Sequence, residues 1–186
     1  MKHIFFSILL FCFGSHLSVN GQNKSLSNTF LQRHFKHLEP IIYTNAISIG
    51  LEKEFLSIFN HDTLRNNQSE AMLILTKVEK ERIYNEIGKL NQRFVDKDLL
   101  KKSCFLPKEK LDLILKDQVG GWADFYKKYG KGYYSFSKPI FIRDNSICIF
   151  FFNYTCGVLC AKGELTVYKK SGKKWVKWFI LNDYIS

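Results

Sequence analysis

Ser146-Ile147-Cys148-Ile149-Phe150-Phe151-Phe152-Asn153-Tyr154-Thr155 is the stretch that decides the fold. It is built from β-branched and aromatic residues and bounded by turn signals, Arg143-Asp144-Asn145 before it and Gly157 after it, so it reads as a strand. Three further runs have the same texture: Tyr133 to Ile142, Leu165 to Lys170 and Trp175 to Leu181. Gly157, Gly163 and Ser171-Gly172 separate them. Four strands joined by short turns predict an antiparallel meander in the last third of the chain.

Upstream the periodicity changes. Phe30, Leu31, Phe35 and Leu38, then Ile47, Leu51, Phe55, Ile58 and Phe59, recur at three- and four-residue steps, which predicts helices interrupted near Pro40. Residues 61–69 are polar and read as a loop. Ala71-Met72-Leu73-Ile74-Leu75-Thr76 is a short apolar run, read as a possible fifth strand, and Ile83, Ile87 and Leu90 then continue at helical spacing. Pro107-Lys108-Glu109 opens another helix, because proline fits the first turn, where its missing N–H costs nothing. A further short helix carries Trp122, Phe125, Tyr126 and Tyr129. Helices first and strands after is the α+β pattern, with the helices packed on one face of the sheet. There is no internal repeat and no low-complexity linker.

The N-terminus has the order of an export signal: Lys2 and His3, an apolar run from Ile4 to Phe13, then polar residues up to Gly21. About ten apolar residues are too few to cross a bilayer, which takes about 20. The expectation is therefore a cleaved signal over residues 1–21 and a single α+β domain over 22–186, located in the periplasm or secreted, with no transmembrane segment in the mature chain. A domain of that length buries a real core. The whole chain carries 28 Lys and Arg against 17 Asp and Glu, a formal charge of +11. Such a balance suits an anionic partner, an envelope component or a glycan among them, although the positive residues are interspersed with acids from Glu79 to Asp117, as on an ordinary solvated surface. A nucleic-acid partner is not expected.

Cys104, Cys148, Cys156 and Cys160 follow the signal, and in an oxidising compartment four cysteines permit three pairings. Cys156 and Cys160 flank Gly157-Val158-Leu159 between two strand-like runs, so a tight hairpin sets them opposite one another within bridging range. Thiol oxidoreductases place two residues between their cysteines at a helix start. A structural disulfide is expected here instead. Cys104 and Cys148 are left as a second bridge or as buried thiols.

Four segments carry a resemblance. They are Gly121-Trp122-Ala123-Asp124-Phe125-Tyr126, Ser135-Phe136-Ser137-Lys138-Pro139-Ile140-Phe141, Cys156-Gly157-Val158-Leu159-Cys160-Ala161-Lys162-Gly163, and Gly172-Lys173-Lys174-Trp175 with a terminal Ile185-Ser186. In order and spacing this resembles an uncharacterised family of exported bacterial proteins, whose pattern is a tryptophan helix, a serine-bearing strand, a glycine-rich hairpin and a closing strand. Ala161 departs from it, standing where a second glycine is expected. The resemblance spans less than half the chain; it implies an exported α+β domain and no activity.

No nucleophile elbow, phosphate loop, zinc-protease helix or dinucleotide fingerprint occurs, so no catalytic residue, metal or cofactor is assigned. His34 and His37 are one helical turn apart, and on an amphipathic helix that spacing reads as a solvated face. Ser135 and Ser137 alternate with Phe136, so both point to one face of a strand. The hairpin 168–178 interleaves Tyr168, Trp175 and Trp178 with Lys169, Lys170, Lys173, Lys174 and Lys177; alternation sets Trp175 and Lys177 on one face and Lys174, Val176 and Trp178 on the other. The functional expectation is an exported, non-enzymatic binding or structural module, with Trp122, Ser137, Lys173 and Lys174 as candidate ligand contacts. Two alternatives stand beside it: an enzyme with a cleft near Trp122 and Ser137, and a polyanion or glycan binder using the basic hairpin 168–178.

Overall fold

The computed structural model describes residues 16–44, 51–66, 70–89, 97–117 and 120–186. In chain order the elements are α1 (His16–Phe35), β1 (Ile42–Thr44), α2 (Leu51–Phe59), β2 (Thr63–Arg65), β3 (Met72–Ile74), α3 (Lys77–Ile87), β4 (Cys104–Phe105), α4 (Lys108–Ile114), α5 (Gly120–Tyr129), β5 (Tyr133–Phe136), β6 (Ile140–Ile142), β7 (Ile147–Gly157), β8 (Cys160–Ser171) and β9 (Lys174–Ile185). Most of the expected signal segment lies outside the described residues, as does Ile47, and no described helix is long and apolar enough to cross a membrane.

The expected α+β architecture is present. The long strands β7, β8 and β9 form an antiparallel meander, and the main sheet runs β4-β1-β5-β7-β8-β9 with β6 also on β7. The run 133–142, expected as one strand, is two. β5 pairs with residues 152–155 of β7 and β6 with residues 147–149, so both lie on the same side of that strand. Between them Pro139 has no N–H to give to a ladder. The turn Arg143-Asp144-Asn145 takes positive φ at all three residues (51°, 51° and 61°), a region that Asn and Asp tolerate better than most side chains.

Two expectations about the middle of the chain need correction: residues 63–65, inside the expected loop 61–69, form strand β2, and the run 71–76 does not join the main sheet. A strand does form at Met72–Ile74, but it pairs with β2 in a separate two-stranded sheet and is no fifth member of the meander. The main sheet is extended instead by β1 and β4, which join in parallel, β1 against β5 and β4 against β1. Both are too short to carry a periodicity of their own.

Helices cover both faces of the sheet and not the single face expected, because β7 is apolar on both. Ile147, Ile149 and Phe151 point into a core with Phe55 and Phe59 of α2, Ile83 and Ile87 of α3, and Leu165, Val167 and Phe179. Cys148 and Phe150, with half-buried Phe152, point the other way, against Phe30, Leu31 and Phe35 of α1. A third, smaller core holds Leu106, Leu111, Trp122 and Phe125 where α4 and α5 pack at the parallel side of the sheet. α3 begins with a reciprocal cap. Glu79 N–H donates to the Thr76 hydroxyl (3.3 Å) and Thr76 N–H to the Glu79 carboxylate (2.8 Å), which satisfies two backbone donors that the first turn leaves unpaired.

Candidate functional site

The β8–β9 hairpin turns at Gly172 (φ 57°) and Lys173, and its register sets Lys170 opposite Trp175 and Tyr168 opposite Lys177. A register shift between Val167 and Tyr168 follows, with Val167 opposite Phe179, so that Trp178 occupies the bulge. Trp175 packs into the α1 core, Lys177 reaches Glu164, and Trp178 packs on the opposite face of the sheet. Trp175 and Lys177 therefore share one face and Trp178 takes the other, as expected, while Lys174, expected beside Trp178, borders the cleft on the Trp175 side.

On the α1 face lies a cleft of about 470 Å³ lined by Phe30, Arg33, His34, Tyr168, Lys173, Lys174 and Trp175. Phe30 holds its floor: its ring meets Tyr168 at 5.3 Å and Trp175 at 5.7 Å, both edge to face. Arg33 ties helix to hairpin by donating from Nη1 to the Lys173 carbonyl (2.5 Å). Lys170 sits 6.0 Å from the Trp175 ring, within cation–π range. No Asp or Glu lines the cleft.

His34 differs from the solvated-face expectation. It is half-buried, stacked on Phe30 at 5.8 Å and edge-on to Phe150 at 5.2 Å and Tyr168 at 5.6 Å. Burial is the main reason its pKa is pushed down to about 4; the charges of His37 and Lys177 add to this and Glu164 opposes it. At neutral pH the imidazole is therefore uncharged. Beside it Glu164, 5% exposed, accepts from the Thr166 hydroxyl (2.6 Å) and pairs with Lys177 (2.7 Å). The Tyr168 hydroxyl is buried with no hydrogen-bond partner, and desolvation pushes its pKa well up, which the neighbouring Thr166 relieves only in part.

The four expected ligand contacts fall in three places. Lys173 and Lys174 are exposed on the rim of the cleft. Trp122 is 8% exposed and packs its ring parallel to Tyr133 at 6.1 Å and edge to face on Phe125 at 5.3 Å. Ser137 is 4% exposed and occupied by the backbone of Phe151, which donates its N–H to Oγ (3.1 Å). Tyr133, which carries Trp122, is four strand residues from Ser137, roughly 13 Å, so these two candidates do not meet. Sequence reasoning missed Phe30, Arg33 and the placement of His34. The i, i+4 spacing of Phe30 and His34 was a signal for a shared face, but nothing local said that the hairpin covers that face.

Among the described residues no three His, Cys, Asp or Glu side chains gather into a metal site. A larger cleft of about 710 Å³ is lined by His61, Asp62, Arg65 and their neighbours, where Asp62 is already paired with Lys80 (2.7 Å). Cys156 and Cys160 form a disulfide with a Cα–Cα distance of 5.0 Å. Cys104 is an exposed free thiol on β4 and Cys148 a buried one on β7, so the second bridge does not form. No protein-family model, no curated protein and no solved structure matches this chain.

Proposed function

We propose that the chain is an exported, non-enzymatic binding module that takes an acidic glycan of the cell envelope in the cleft between α1 and the hairpin 168–178. The observation that carries this reading is the lining itself: three cations, Arg33, Lys173 and Lys174, around the rings of Phe30 and Trp175, with no acid among them. A sugar presents an apolar C–H face to an aromatic ring while its carboxylate or sulfate pairs with guanidinium or ammonium groups, so one wall supplies stacking and the rim supplies charge. Export is supported by the signal-like N-terminus, by the Cys156–Cys160 disulfide and by the resemblance to an exported bacterial family. The enzymatic alternative draws no support from Ser137, whose hydroxyl is buried against the backbone, or from Trp122, which packs a core.

The test is binding of residues 22–186 to galacturonate oligosaccharides and to their neutral galactose counterparts, followed by calorimetry. The acidic ligand binds, weakens as salt rises, and loses about tenfold or more in affinity in Lys173→Ala/Lys174→Ala, the equivalent of about 1.4 kcal/mol. Equal binding of the neutral sugar, or no change in the variant, sinks the reading.

A further inference from the structure

A second cleft lies on the same face of the sheet, beyond the end of α1. It measures about 680 Å³ and its lining includes Lys101, Lys102, Lys131, Tyr129, Tyr134 and Tyr154. The three lysines are exposed and, among the described residues, none makes an ion pair, while no Asp or Glu lines the cleft. The Tyr129 hydroxyl is buried with no hydrogen-bond partner. A cleft rimmed by three unpaired cations and lined by no acid suits an anion with oxygen acceptors.

The two clefts are joined by rings. Trp175 meets Phe30 (5.7 Å), Phe30 meets His34 (5.8 Å), His34 meets Phe152 (5.8 Å), Phe152 meets Tyr134 (6.4 Å), and Tyr134 meets Tyr154 (4.8 Å). Trp175, His34, Phe152, Tyr134 and Tyr154 are half-buried, and Phe30 is buried beneath them. Exposed Lys162 stands directly opposite Tyr154 across the β7–β8 ladder, which puts its cation on this face. Two acids lie on this face beside the path: Glu164, opposite Phe152, which Lys177 neutralises, and exposed Asp183, opposite Glu164 on β9.

We infer that Lys101, Lys102 and Lys131 over Tyr134 and Tyr154 form a second anion-binding subsite, and that the ligand is a linear acidic polysaccharide lying along the ring path across both clefts. This rests on the reading of the first cleft given above. A chain engaging both sites gains from effective concentration, so its affinity exceeds that of a short fragment held by either site alone. A polysaccharide fits better than a nucleic acid strand because from His34 onwards successive rings are tilted on one another by 52°, 43° and 41°, which suits sugar rings lying on one ring at a time more than a run of parallel bases.

Calorimetry of the mature protein with digalacturonate and with a galacturonate chain of about ten residues tests this. The long chain binds about tenfold or more tightly than the disaccharide, and Lys101→Ala/Lys102→Ala/Lys131→Ala removes that gain while leaving disaccharide affinity at the first cleft unchanged. If the disaccharide binds and the long chain gains nothing, or if the gain survives in the triple variant, the second subsite is wrong and the first cleft stands. If a single-stranded oligonucleotide of equal charge binds as tightly as the long chain, the glycan assignment is overturned. Failure of the wild-type protein to bind the disaccharide removes both readings.

Discussion

Ser137 and Phe151 exchange two hydrogen bonds across the break between β5 and β6: Ser137 N–H donates to the Phe151 carbonyl (2.9 Å), and Phe151 N–H donates to the Ser137 hydroxyl oxygen (3.1 Å). The hydroxyl replaces a ladder partner at the point where Lys138-Pro139 interrupts the strand. Ser137→Ala leaves the buried Phe151 N–H without an acceptor, which costs about 1–3 kcal/mol. The urea midpoint falls accordingly and galacturonate affinity stays unchanged; a loss of binding at unchanged stability would restore Ser137 as a ligand contact.

His34 makes the fold acid-sensitive. Its folded pKa of about 4 lies below the ordinary 6.5, so the unfolded chain binds more protons between those values and stability falls as pH drops from about 6.5 to about 4, by at most about 3 kcal/mol. His34→Phe, which suits a pocket of Phe30, Phe35, Phe150 and Phe152, flattens the stability profile in that window. A profile with the same slope in the variant contradicts this assignment.

Glu164 acts in the next window down. Burial raises its carboxyl pKa, but hydrogen bonds and charge from Lys177 and Thr166 outweigh burial and leave it below the ordinary 4.5. The stabilisation is present above 4.5 and lost as pH falls below it. Lys177→Met removes the partner and leaves the carboxylate buried, so thermal melts at pH 7 fall by several degrees, with a smaller difference at pH 3.

The disulfide closes the short loop 156–160, braced by the Tyr126 hydroxyl, which donates to the Cys156 carbonyl (2.5 Å). So small a loop contributes only about 2 kcal/mol by chain entropy. Cys156→Ser/Cys160→Ser folds, melts earlier, and exchanges amide hydrogens faster at Val158 and Leu159, while the β8–β9 hairpin keeps its protection. Complete unfolding of the double variant would show that the bridge holds more than a turn.

Gly121, the second residue of α5, is pressed on the end of the preceding helix: a Cβ there collides with the Ile114 carbonyl and meets Leu115 Cα at 3.0 Å. Backbone cannot yield as a side chain does, so Gly121→Ala costs about 3 kcal/mol. Gly130→Ala is a control of a different kind, since its neighbourhood is open but its φ is 98°; it loses about 1–2 kcal/mol by conformation alone.

What the amino-acid sequence determined by itself was the local part. The β7–β8–β9 meander, the turns at Arg143-Asp144-Asn145 and Gly172, the disulfide hairpin and helices α3 to α5 were legible because alternation, turn residues and helical spacing are carried by contiguous residues. Tertiary structure alone decided the parallel additions β1 and β4, of three and two residues, held by bonds such as Cys104 N–H to the Ile41 carbonyl (2.9 Å). It decided the cleft as well. Arg33 and Lys173 are separated by 140 positions, and no periodicity reports a contact at that range. His34 is polar by type and half-buried by place, because its environment is made by strands that lie more than a hundred residues further along the chain. A side chain's charge state follows from what packs around it, and that is a property of the assembled fold.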